Sequence, residues 1–164
     1  MKIIQRCFIA LFILSMSVRA LAQKNSLVGK WKIVSLDVVG ITINLEKPAE
    51  SKLKIASHIE KEKGSKPDSV VVENAYAEMI SMIAGTIVEF TSSGKGIYYV
   101  TMPSGEIKMD SATYVVDYDK GILTTISFEE GQQINIITKI KFEGEYLTLI
   151  KGEQQEIVVF KRSK

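Results

Sequence analysis

Leu27-Val28-Gly29-Lys30-Trp31 is the stretch that decides the fold, with a glycine two residues ahead of the only tryptophan in the chain. From there apolar side chains alternate, which predicts a first strand from about Lys30 to Val39. Trp31, Ile33 and Ser35 are expected on one face, and Lys32, Val34 and Leu36 on the other. Both faces carry apolar residues, so this strand needs cover on its outside as well. Trp31 offers the largest apolar surface available to plug one end of a barrel, and Gly29 lets backbone approach it closely.

Upstream of this stretch, Met1 to Arg6 is short and basic, and Cys7 to Val18 is an apolar run of twelve residues. That is well short of the ~20 needed to span a bilayer. Ala20-Leu21-Ala22 then supplies the small-x-small pattern of a signal-peptidase site. Residues 1–22 are therefore expected to be a signal peptide cleaved after Ala22. Residues 23–164 would form one exported domain, periplasmic or extracellular, with no transmembrane segment after cleavage. Cys7 lies too far from the cleavage point to carry a lipid anchor. Removing Lys2, Arg6 and Arg19 from the 21 basic residues leaves 18 against 19 acidic ones, so the basic balance belongs to the leader. Nucleic acid is not an expected partner. The only cysteine leaves with the leader too, and the domain must be held by its core without a disulfide.

Downstream, an insertion of about residues 45–85 carries helical signals. Pro48 suits a first turn, a helix is expected over Ala49 to Lys63, and Gly64 stops it. A second helix is expected from about Lys66 to Ala84, with Ser65 and Asp68 spaced like capping-box partners and Gly85 as the stop. Its apolar stripe is Val72, Tyr76, Met79, Ile80 and Ile83. Met79 and Met82 read as core packing, or as flexible thioethers lining a ligand entrance beneath a lid.

From Thr86 the period becomes two. Strands are expected over Thr86 to Thr91, Gly96 to Met102, Ser111 to Tyr118, Gly121 to Phe128, Gln132 to Glu143, Glu145 to Lys151 and Gln154 to Arg162. With the first, these make eight, and the short links between them imply antiparallel neighbours. The expected fold is mainly β: an eight-stranded antiparallel up-and-down barrel with a helical insertion between strands 1 and 2.

Gly29-Lys30-Trp31 resembles the glycine-x-tryptophan signature of the lipocalins and their calycin relatives. Arg162, at the end of the last strand, stands where those proteins carry an arginine that packs across the tryptophan. The Leu-x-Gly-x-Trp opening and the hairpin Thr86 to Gly96 look like those of bacterial exported lipocalin-like envelope proteins, as does Lys139 to Leu149. The resemblance implies a lipocalin-like barrel closed structurally by Gly29, Trp31 and Arg162. It also implies binding of a small hydrophobic ligand inside. The helical insertion and the missing disulfide depart from the usual pattern of secreted lipocalins.

Chemistry finds few candidates. His58 is the only histidine, which removes His-based triads and multi-histidine metal sites. Glu129-Glu130 and the Asp117/Asp119 pair border turns, where carboxylates serve solubility and turn geometry. The expectation is a protein that is not an enzyme, with no catalytic residue, metal or cofactor. Taking Trp31 as pointing inward, the expected lining is Val88, Phe90, Tyr99, Tyr114, Val116, Ile126, Phe128, Ile136 and Ile140. Thr124 and Thr138 would add hydroxyls. Such a lining is apolar with a few polar points, as small-molecule pockets are. The rival expectation is a barrel filled by its own side chains, acting as a scaffold or inhibitor that recognises another protein.

Overall fold

In a computed structural model, residues 26–38, 40–102, 104–152 and 156–163 are described. The expected signal peptide lies outside them. The elements run β1 (Gly29–Val38), β2 (Ile41–Asn44), α1 (Pro48–Lys63), α2 (Ser69–Ile83), β3 (Ile87–Phe90), β4 (Lys95–Thr101), β5 (Ile107–Asp117), β6 (Ile122–Glu129), β7 (Gln132–Glu143), β8 (Tyr146–Lys151) and β9 (Glu156–Arg162). All strand pairings are antiparallel, and β9 returns to pair with β1. Eight strands, β1 and β3 to β9, thus close a barrel.

The strand not expected from sequence is β2. One edge of β1 carries β9, and the other edge is divided between two neighbours. Gly29 to Lys32 pair with β3, whereas Ser35 to Val38 pair with β2. Gly40, at φ +82°, turns the chain tightly enough for β2 to fold back on β1. The helical insertion therefore follows this hairpin instead of following β1 directly.

A bulge at Val34 also alters the expected alternation. Ile33 pairs with Phe160 and Ser35 with Val159, so one extra residue sits in β1. Past the bulge Leu36 lies opposite Val158, on the same inner face as Ile33, and Ser35 turns outward.

The helices are held against β2. The buried Ser51 hydroxyl lies 2.7 Å from the amide N–H of Asn44, from which it accepts, and contacts the carbonyls of Asn44 and Lys47 at 3.1 and 3.2 Å. Ile55 of α1 is buried in the same cluster as Ile43 of β2. Gly64 ends α1 in the left-handed region at φ +70°, its N–H on the Glu60 carbonyl at 2.8 Å. The second helix starts later than expected, because the Asp68 carboxylate caps the Val70 N–H at 2.8 Å and leaves Ser65 outside. Gly85 follows α2 for a steric reason: a Cβ there would come within 2.6 Å of the Thr101 Cβ. One apolar cluster joins Trp31, Val88, Phe90, Leu123, Leu147 and Phe160 in the barrel to Ile55, Val72, Tyr76 and Ile83 of the helices.

Candidate functional site

One end of the barrel is tightly packed. The floor is built around Trp31, which is fully buried and donates its indole N–H to the Leu27 carbonyl at 2.7 Å. Arg162 pairs directly with Trp31 across β1 and β9, and its guanidinium carbon stands 4.4 Å from the indole centroid. The same guanidinium donates to the carbonyls of Val28 at 3.2 Å and Ser26 at 2.5 Å. Gly29 adopts φ +136°, and a Cβ there would meet Arg162 Nη1 at 3.2 Å. Phe142, with its centroid 6.2 Å from Trp31, and Tyr118, 6.3 Å from Phe142, complete this end. The Tyr118 hydroxyl accepts the Leu27 N–H at 3.1 Å. Leu27, Phe142 and Tyr118 were not singled out by sequence reasoning, although Leu27 stood inside the motif.

Cross-strand register decides which side chains face inward, because directly opposed residues share a face. Val88 and Phe90 are buried inside, and Tyr114 meets Phe90 edge-on with centroids 5.1 Å apart. Val116 and Ile140 join the same cluster. Ile136 lies opposite Thr125, which lies opposite Tyr114, so it shares the inner face higher in the barrel. Thr138 is buried on that face.

Three expected lining residues point the other way. Tyr99 lies opposite Ile87, and its hydroxyl donates to the Glu89 carboxylate at 3.3 Å on the outer face. Tyr98, opposite the buried Val88, is the tyrosine that enters the barrel. Ile126 lies opposite the exposed Thr113, and Phe128, two residues on, is 70% exposed. Leu123 and Thr125 take the inward positions of β6, which turns Thr124 outward as well.

Away from the floor, the lining loosens and gains polar groups. Ile134, Ile136, Leu149 and Val158 keep partial solvent exposure, although register places all four inside. Tyr98, Thr125 and Ser127 add hydroxyls, and Asp110, opposite Tyr98, brings a carboxylate to the mouth. Burial pushes the Tyr98 phenol above its ordinary range; the Thr125 hydroxyl opposes that rise and the Asp110 charge adds to it. The wall is split here too. Pairing between β5 and β6 stops at Thr113 and Ile126, while β5 continues to Ile107 on β4 and β6 to Glu129 on β7.

This barrel has a solved counterpart. The crystal structure of a DUF4847 family protein from Bacteroides vulgatus ATCC 8482 aligns with 83% of this chain and 93% of its own, at a TM-score of 0.53. The two sequences are 13% identical, so the likeness concerns the fold alone. No family model and no curated protein matches the sequence. A closed eight-stranded barrel of this kind fits a calycin-like architecture.

Other polar groups lie on the surface. His58 faces Glu62 one turn along α1, its Nε2 3.2 Å from Oε1. Among the described residues, no group of three or more His, Cys, Asp or Glu is placed to hold a metal ion, and no helix is long and apolar enough to cross a membrane. Outside the floor, Lys161 is bound to Glu46 at 2.7 Å, tying β9 to the β2–α1 link. The Tyr146 hydroxyl, 3.1 Å from Glu46, adds to this contact, and the pair holds the Glu46 carboxyl below its ordinary range.

Proposed function

We propose that the chain is an exported, non-catalytic, lipocalin-like protein that carries a small, largely apolar ligand in the half of the barrel remote from Trp31. The observation that carries this reading is the partial exposure of inward-facing Ile134, Ile136, Leu149 and Val158, set against a floor packed tight around Trp31 and Leu147. Side chains that face inward yet reach solvent are accessible to a ligand that enters from that end. Tyr98 and Thr125 would meet one polar group of the ligand, and the aliphatic side chains its apolar body. Closure at the floor directs access to the mouth and to the split between β5 and β6.

Native mass spectrometry of the protein purified from its own host tests this. A retained adduct of lipid size, lost when Ile136→Trp fills the space, is the expected result. A protein that is adduct-free and indifferent to added fatty acids or similar amphiphiles refutes it.

The outside of the barrel favours a second reading, a scaffold that recognises another protein. Val115 and Ile137 lie in one cross-strand row with Thr124 between them, and both are more than 60% exposed. Ile107, Met109 and Phe128 are exposed on the same outer face, and exposed apolar side chains of this kind can mark interaction sites.

A further inference from the structure

We propose that the free half of β5 is a self-complementary edge through which two copies of this chain pair as antiparallel strands about a two-fold axis at Met109. This inference stands independently of any ligand in the barrel.

The edge is defined by hydrogen-bond direction. Tyr114 donates its N–H to the Gly94 carbonyl at 2.7 Å, toward β4. Backbone groups alternate in direction along a strand, so those of Lys108, Asp110 and Ala112 also face β4. Those of Ile107, Met109 and Ser111 face the opposite side, where β6 has diverged. Among the described residues none of these three is paired with β6. The Ser111 N–H is met instead by the neighbouring Asp110 carboxylate at 2.7 Å. All five residues from Ile107 to Ser111 are exposed, so this half-strand is solvated on both faces. An unpaired strand edge with apolar side chains is a template for another strand, and proteins normally block it.

Side-chain chemistry selects the occupant and the register. Antiparallel pairing with Met109 opposite Met109 of a second copy places Ile107 opposite Ser111, and Lys108 opposite Asp110, each of them twice by symmetry. Met109 and the two Ile107–Ser111 pairs are then of the hydrogen-bonded type, giving six backbone bonds. The charged pairs fall at non-hydrogen-bonded positions, where side chains approach more closely. Centring the axis on Lys108 or Asp110 instead sets like charge against like. The two-fold keeps outer faces together, so Met109, 70% exposed, meets its own copy on one side, and Ile107, 63% exposed, lies diagonally beside the Met109 of the second copy. Asp110 exchanges its local bond to Ser111 for the lysine across the axis.

Such an edge buries little surface, so the association belongs to the small, weak class of interfaces. Sedimentation equilibrium up to about 1 mM protein covers the corresponding affinity range. The expected result is a monomer–dimer equilibrium. Lys108→Asp or Asp110→Lys alone should weaken it by roughly tenfold or more, because two cross-strand pairs turn repulsive together. The double exchange Lys108→Asp/Asp110→Lys should recover it. These side chains are solvent-exposed, so melting of the dilute variants serves as the folding control. Hydrogen exchange adds a residue-specific reading: the Ile107, Met109 and Ser111 amides gain protection with concentration, while those of Lys108, Asp110 and Ala112 are protected already. A chain that stays monomeric throughout overturns the proposal. So does a dimer indifferent to the single reversals, or one that the double exchange fails to restore.

Discussion

Replacing Arg162 by alanine tests the closure of the floor most directly. The guanidinium stacks on Trp31 at 4.4 Å and donates to two carbonyls, those of Val28 and Ser26. The stacking contributes about 0.5 to 2 kcal/mol. A bond from a charged donor adds about 1.5 to 3 kcal/mol when well buried, and less here because the side chain is partly solvated. Allowing for that screening, the loss is about 2 to 4 kcal/mol, or roughly 10 °C in melting temperature for a domain of this size. Urea unfolding followed by tryptophan emission reads both effects, since Trp31 is the only indole. The native emission should change as water and mobile backbone replace the stacked cation. Arg162→Lys keeps the charge without the planar two-carbonyl geometry and should recover less than half of the loss. A variant that melts within a degree of the parent with unchanged native emission would refute the closure.

Two further outcomes follow from the inner and outer faces. Phe90→Ala should cost about 3 to 5 kcal/mol, because that ring is buried against Tyr114. Phe128→Ala should stay within about 0.5 kcal/mol of the parent by the same denaturation assay, since the ring is mostly solvated. Spectroscopic titration of tyrosine should find Tyr98 and Tyr114, both raised by burial, ionising above the ordinary phenol range, and Tyr98→Phe should shrink that late component by one tyrosine. A raised folded pKa of an acid means that the unfolded chain ionises first. The Tyr98 contribution to stability is therefore full below the ordinary tyrosine pKa and fades as pH climbs through the folded one. Alkaline unfolding delayed in Tyr98→Phe checks the sign.

How much of this was legible in sequence depends on what set each feature. The hairpins of β3 to β9 were readable, because period-two runs and turn residues are local signals, whereas the pairing of Trp31 with Arg162 was expected only through the resemblance carried by Gly29-Lys30-Trp31. Faces were harder. In β6 both alternating sets contain apolar residues, Ile122, Ile126 and Phe128 against Leu123, and the more apolar set faces outward. What turns Leu123 inward is its pairing with Val116, a relation between strands that hydropathy along one strand does not record. Tyr98 and Tyr99 pose the same difficulty as adjacent, identical side chains. The Val34 bulge and the β2 hairpin depend on which neighbour β1 meets at each point along its edge. The split between β5 and β6 concerns where pairing ends, and it left no mark in either strand's own pattern.

The division of β1 between β2 and β3 bears on how the chain reaches this state. The contact from Arg162 to the Val28 carbonyl joins residues 134 apart, whereas successive strands from β3 to β9 pair in sequence order, so the β1–β9 seam carries the largest loop-closure cost and is expected to form late. Until β9 is available, β1 is an exposed apolar ribbon at risk of pairing with other chains. β2 pairs with it through Val38 and Ile41, only three positions apart, and can do so at once. The hairpin that the sequence concealed thus doubles as a built-in chaperone: it occupies the upper half of one β1 edge from the start and leaves Trp31 for last.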